Sequence, residues 1–148
     1  MELLAIDVLG QLPRTLPSIP EEAQEAIAAT RALYANVGHI PPWIGYVALE
    51  DGECVGACAF KSPPRDGSTE IAYYTFPSHE GLGFATAMAQ ALIEIARRAL
   101  PDIAIVAQTL AEDGASPHIL RKLGFDLMEE FEDPQDGPLW EWRLAPAA

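Results

Sequence analysis

The chain has 148 residues, 49% of them apolar, which suits one domain with one continuous core, and we expect a single domain over residues 1–148. Its 22 acidic and 9 basic residues give a net charge of −13, which argues against nucleic acid or an anionic membrane surface as partners and favours cationic ones. No run approaches the roughly 20 apolar residues of a membrane span. The start "MELLAIDVLGQLPR" lacks the basic region of a signal peptide, so a cytoplasmic location is expected.

Residues 2–9, "ELLAIDVL", read as a first strand. The following "GQLPRTLPSIP" is a connector, because its prolines fit neither a helix interior nor a central strand. Pro20, with Glu21 and Glu22 behind it, opens a helix in which Ile27, Leu33 and Tyr34 can share a face, and which ends near Gly38. The loop "NVGHIPPW" then brings Trp43 to a second strand. "WIGYVALE" and "ECVGACAF" flank Asp51-Gly52, a dipeptide that supplies the positive φ angles of a tight hairpin turn. After "KSPPRDGS", the aromatic and β-branched "TEIAYYTF" makes a third antiparallel strand in a row.

From about Leu82 the period becomes helical, with Met88, Leu92, Ile95 and Ala99 on one stripe, Arg97 and Arg98 in the last turn and Pro101 as the stop. "IAIVAQT" suits a buried central strand. Ser116-Pro117 offers a helix cap followed by proline at the first helical position, and Gly124 closes about two turns. "FDLMEEF" and "LWEWRL" form two last strands around "EDPQDGP", and the tail "APAA" is expected to fray. The order strand, helix, three strands, helix, strand, helix, two strands is a mixed α/β sheet. Cys54 and Cys58 lie about 13 Å apart along a strand. A disulfide needs less than about 7 Å, and with no histidine beside them they read as packed thiols, so no metal is expected.

The stretch "EGLGFAT", residues 80–86, holds two glycines ahead of the second helix and no Lys or Arg. A dinucleotide fingerprint needs a third glycine where Thr86 stands, and a nucleotide P-loop needs Gly-Lys-Ser/Thr. Two readings remain. The glycines either serve the chain turn alone, or they clear the way for a pyrophosphate to reach free amides at a helix N-terminus.

The segment Glu80-Gly81-Leu82-Gly83-Phe84-Ala85-Thr86 resembles motif A of the GNAT superfamily of N-acetyltransferases, Arg/Gln-x-x-Gly-x-Gly/Ala. "EDGASPHILRKLGF", Glu112 to Phe125, looks like its motif B, and "AFKSPPRDGSTEIAY" is similar to a segment of the ribosomal-protein N-acetyltransferase-like branch. The resemblance implies a mostly antiparallel α/β (α+β) sheet splayed between the fourth and fifth strands and flanked by helices. It further implies acetyl-CoA as co-substrate, lying in that splay. By the same resemblance the backbone of Thr75 and Phe76 binds pantetheine, while Glu80, Gly81, Leu82, Gly83, Ala85 and Thr86 form the phosphate loop and Asp113 and Ser116 complete the site from motif B.

Four positions depart from the family pattern. Glu80 stands where Arg or Gln is usual, Leu82 where a basic residue is common, Asp113 where Asn is usual, and Leu120 where many members carry the tyrosine that protonates the leaving thiolate.

Acetyl transfer needs a neutral amine, a polarised carbonyl and a protonated leaving thiolate. Glu70 on the fourth strand is a candidate base or water relay, or else a cross-strand partner of Lys61. Ser116 is a candidate thiol contact as well as a helix cap. His79 could offset Glu80, His118 is expected at the surface, and Tyr73-Tyr74 reads as sheet packing rather than acid catalysis. The acceptor side implied by the resemblance, "NVGHIPPW" and "EEFEDPQDG", carries Glu129, Glu130, Glu132, Asp133 and Asp136, a field for a protonated amine or simply a solvated loop. Trp43 lines that pocket or anchors its strand. The function expected is N-acetyl transfer to a peptide N-terminus or small cationic amine. The rival is a non-catalytic acyl-CoA-binding or interaction module. Family members often dimerise through sheet edges, which leaves a homodimer open.

Overall fold

In the computed structural model, which describes residues 1–146, the elements are β1 (Glu2–Ala5), α1 (Glu21–Val37), β2 (Gly45–Glu50), β3 (Glu53–Phe60), β4 (Ser68–Thr75), α2 (Phe84–Ala99), β5 (Ala104–Leu110), α3 (Ala115–Lys122), β6 (Asp126–Asp133) and β7 (Gly137–Leu144). A short 3-10 turn, Pro77–His79, precedes α2. The strands make one sheet in the order β1-β2-β3-β4-β5-β7-β6, antiparallel except for β4 and β5. The chain order of elements is the expected one; the insertion of β7 between β5 and β6 comes from tertiary pairing.

Most local expectations hold, with three shifts at boundaries. β1 ends at Ala5 rather than residue 9, because Asp7 folds the chain back: its Oδ1 accepts from the Leu9 and Gln11 amides, both at 2.9 Å, and its carbonyl from Gly10. α2 starts at Phe84 rather than Leu82. Gly81 and Gly83 adopt φ of +78° and +83°, a left-handed conformation that a helix cannot include. α3 is capped by Gly114, so Ser116 is not the cap; it and Pro117 lie inside the first turn. The Asp51-Gly52 turn has φ of +51° and +80°, as a two-residue hairpin requires. Of the tail, the Ala145 carbonyl accepts from Arg97, and Ala147 and Ala148 lie outside the described residues.

Helices pack on opposite faces of the sheet. α1 covers β2 and β3, with Thr30 resting where Gly45 has no side chain. α2 covers β3 and β4 from the other side, and its Met88 and Leu92 are fully buried. Gly56 makes this close approach feasible: a Cβ there would sit 2.5 Å from the Tyr74 carbonyl oxygen and 2.8 Å from Met88 Cε. The two thiols are packed and unpaired, and burial pushes Cys58 up to about 12. No helix among the described residues is long and apolar enough to cross a membrane.

One side chain ties the first strand to the core of the sheet. The buried Tyr34 hydroxyl donates to the Ile6 carbonyl and accepts from the Gly45 amide, each at 2.8 Å. Tyr34→Phe leaves both backbone groups buried without that partner and should cost about 1–3 kcal/mol, read as a lower urea midpoint with unchanged slope.

Candidate active site

The site begins where β4 and β5 stop pairing. Their ladder contains only Ser68↔Ala104, Thr69↔Ile105 and Glu70↔Val106, yet β4 runs on to Thr75 and β5 to Leu110. In an antiparallel pair, successive residues point their amides alternately toward and away from the partner. Lys61 donates to the Glu70 carbonyl and Phe76 to the Val55 carbonyl, so the even-numbered residues of β4 serve β3 and the odd-numbered ones face β5. Beyond Glu70 there is no strand opposite them. The main-chain groups of Tyr73 and Thr75 therefore open into a gap in the sheet. From β5 the same alternation, anchored by Ala104 donating to Gly67, directs the main chain of Gln108 into the gap.

Thr75 and Phe76, expected to act together, are separated by this geometry. Thr75 faces the gap, and its Oγ1 is buried without a hydrogen-bond partner. Phe76 is fully buried, and its amide is committed to Val55.

Behind the gap lies a cavity of about 480 Å³ between the N-terminus of α2 and the start of α3. Thr75, Glu80, Gly81, Gly83, Ala85 and Thr86 line one side, and Ala115, Ser116 and Ile119 the other. The first intrahelical bond of α2 runs from Ala87 to Gly83, and no side chain caps this end. The amides of Phe84, Ala85 and Thr86 are thus without a helical acceptor. A Cβ at Gly81 or Gly83 would meet nothing within 4 Å, so these residues are glycine for their backbone angles, and the space beside them is open.

Two expected members do not join this cavity. Leu82 is 65% exposed and absent from the lining. Asp113 turns to solvent and pairs with Arg121 at 3.5 Å. Glu80 does face the cavity, and His79 does not offset it: its Nε2 lies 3.0 Å from Glu53 Oε1.

In front of the gap a second cavity, of about 370 Å³, is lined by Lys61, Glu70, Gln108, Leu139 and Asp136 among others. Both cavities share Tyr73 and Ser116. Glu70 lines the cavity, and its Oε2 sits 3.3 Å from Lys61 Nζ, the cross-strand partner expected of it. Of the acidic rim, Asp136 reaches the lining. Glu130 instead accepts from Trp140 Nε1 at 2.9 Å, and Asp133 accepts the Gln135 and Asp136 amides of its own turn. Trp43 is buried edge-on against Phe60 and anchors its strand; His118 is exposed. Leu120 is fully buried and brings no hydroxyl to the gap.

Glu141 is the residue that sequence reasoning did not name. It pairs in register with Gln108 of β5 and Glu129 of β6, on the sheet face that also carries Glu70. Burial, then Glu129, then Glu70 push its carboxyl above the ordinary value, with Arg143 opposing. The alternation of "LWEWRL" carried the signal: Trp142 is buried and donates to Thr109 Oγ1 at 3.0 Å, which turns Glu141 to the opposite face.

The profile of the Acetyltransferase (GNAT) domain matches residues 7–126. The chain belongs to the GNAT acetyltransferase family. No curated protein sequence matches it. Among solved structures, RimL, a ribosomal-protein alpha-N-acetyltransferase in complex with coenzyme A, is 20% identical over 87% of this chain and 74% of its own, with a TM-score of 0.65. An apo form of RimL is 18% identical over 99% of this chain and 93% of its own, with a TM-score of 0.71. The yncA protein of Salmonella typhimurium, solved with its cofactor acetyl-CoA, is 20% identical over 95% and 83%, with a TM-score of 0.62. These likenesses show that the fold is shared.

The raised Glu141 carboxyl makes a stability prediction. The folded protein holds this proton more tightly than the unfolded chain does, so the associated stability is present below the ordinary value of 4.5 and is lost as pH rises through the folded value. Glu141→Gln should therefore raise the melting temperature relative to wild type at pH 7, and the difference should vanish below about pH 4.

Proposed function

We propose that this GNAT protein transfers the acetyl group of acetyl-CoA directly to a primary amine, either a peptide N-terminus or a small cationic amine. The observation that carries the reading is the meeting of two cavities, one on each side of the sheet, at the unpaired stretch of β4.

The rear cavity fits acetyl-CoA on three counts. It has a glycine-cleared floor, uncapped amides at the start of α2, and in Thr75 an orphaned hydroxyl beside main-chain donors in the gap. Gly81, Gly83, Ala85 and Thr86 would hold the phosphates, and Tyr73 and Thr75 the pantetheine. When bound, acetyl-CoA supplies a thioester whose carbonyl is open to attack. Around it this chain's residues divide the work: a backbone amide of the gap donates to a carbonyl oxygen as it gains charge, and Glu70 accepts a proton from an acceptor amine.

The front cavity supports the acceptor class. Glu70, Asp136 and the nearby Glu141 set a negative field with Lys61 as the cation in the lining, and a protonated amine entering there relieves the repulsion among the carboxylates. RimL, with the same fold, is a ribosomal-protein alpha-N-acetyltransferase, which supports an N-terminal amine as one form of acceptor.

Calorimetric titration with acetyl-CoA tests this first. Wild type should bind with micromolar affinity, and Glu80→Gln should bind several-fold tighter, since it removes a carboxylate from the phosphate end. Glu70→Gln should keep that affinity and lose on the order of a hundredfold in kcat with amine acceptors. Absence of acetyl-CoA binding by both wild type and Glu80→Gln would overturn the reading and leave the non-catalytic module in its place.

A further inference from the structure

The sequence holds two lysines, Lys61 and Lys122. Lys122 ends α3 in solvent and lines neither cavity of the site, while the Met1 amine pairs with Glu50 at 3.4 Å beside the edge strand β1. Lys61 differs from both. It follows β3 directly, and its amide donates to the Glu70 carbonyl at 2.9 Å, which sets it beside the last residue of β4 that still pairs with β5. Its side chain is half exposed, lines the front cavity and brings Nζ to 3.3 Å from Glu70 Oε2. An ion pair this open to water adds little to stability, so holding the fold is a weak account of it. In position Lys61 imitates an acceptor. It is a primary ammonium on the carboxylate assigned to take the acceptor's proton, in a cavity that meets the acetyl-CoA cavity at Tyr73 and Ser116.

We propose that Lys61 is a self-acetylation site, an internal acceptor that this protein modifies with its own acetyl-CoA. The proposal rests on the acetyl-transfer reading above. One proton passes from the Lys61 ammonium to Glu70 and on to water. The neutral Nζ then bonds to the acetyl carbon, the C–S bond breaks, and a second proton from the nitrogen ends on sulfur. The products are acetylated Lys61, coenzyme A as its thiol and one proton in solvent. The new amide carries no charge and no longer serves Glu70 as an ion partner. With Lys61 acetylated, Glu70 and Asp136 are the charged groups left in the front lining, with Glu141 nearby, so the cavity gains negative field for a cationic amine. Until then Lys61 occupies the carboxylate that such an amine needs. Self-acetylation therefore removes a built-in competitor and opens the cavity to the external acceptor.

The test maps acetylation by mass spectrometry on the full chain after incubation with acetyl-CoA and no added acceptor. Lys61 should gain one acetyl group with a rate constant independent of protein concentration, as a reaction within one molecule requires. It should do so on the order of a hundredfold faster than Lys122, which reports uncatalysed acetylation. Glu70→Gln should slow Lys61 to near the Lys122 rate while keeping its affinity for acetyl-CoA. A second readout needs no coenzyme: in calorimetric titration with the diamine putrescine as probe, Lys61→Gln should bind several-fold tighter than wild type, because its competitor for Glu70 is gone. Wild type that neither binds acetyl-CoA nor acetylates an added amine sinks the acetyl-transfer reading, and this proposal with it. Wild type that binds acetyl-CoA yet leaves Lys61 unmodified, or modifies Lys61 and Lys122 equally, overturns the proposal alone. So does a rate constant that rises with protein concentration, or equal putrescine affinity in wild type and Lys61→Gln. The mapping uses wild type, so it decides even where a variant does not fold.

Discussion

The structure turns on the loss of pairing between β4 and β5 after Glu70 and Val106. A main-chain amide inside a sheet is an obligatory donor, and leaving it unmet is costly, so a parallel pair that separates midway must return those groups to something else. Here the odd-numbered end of β4 faces open space on a line that joins a cavity behind the sheet to one in front. The arrangement depends on its neighbours. A parallel connection requires a crossover helix, which places α2 and its uncapped N-terminus beside the end of β4. Gly56 then lets that helix settle close enough for its first turn to form the cavity wall.

Charge is distributed in keeping with this division. The chain carries a net −13, and the cavity assigned to the phosphates has neither lysine nor arginine in its lining. On the proposed reading, anion recognition there would fall to backbone dipoles, which are fixed by the fold and need no side-chain ordering. The carboxylate of Glu80 works against it, at a place where the family commonly has a donor. On the opposite face of the sheet, Glu141 and Glu129 lie on adjoining strands and Glu70 lies across β5 from Glu141, and both neighbours raise the Glu141 carboxyl. On the proposed reading, a cationic acceptor would relieve the repulsion among these carboxylates.

Much of the fold was legible along the chain because its signals are local. Asp51-Gly52 specifies a hairpin through its own φ angles, Pro20 and Gly38 bound α1, and the stripe of Met88 and Leu92 gives α2 its buried face. Boundaries slipped where a polar side chain or a glycine did something other than its commonest task. Asp7 closed a turn instead of continuing β1, and Gly114 rather than Ser116 capped α3.

The candidate site was legible in its motifs and less so in its contacts. By itself the sequence determined the element order, the family resemblance and the glycine-lined approach to α2, all of which depend on residues near one another in the chain. Tertiary structure alone decided that Thr75 rather than Phe76 presents a free amide, because that depends on the β3 register. It also decided that Glu141 joins Glu70 on one face, and that Tyr73 and Ser116 line the same two cavities. Those pairings span from 43 to 71 positions of sequence, a distance over which no periodicity or capping signal reaches; only strand order and register bring the partners together.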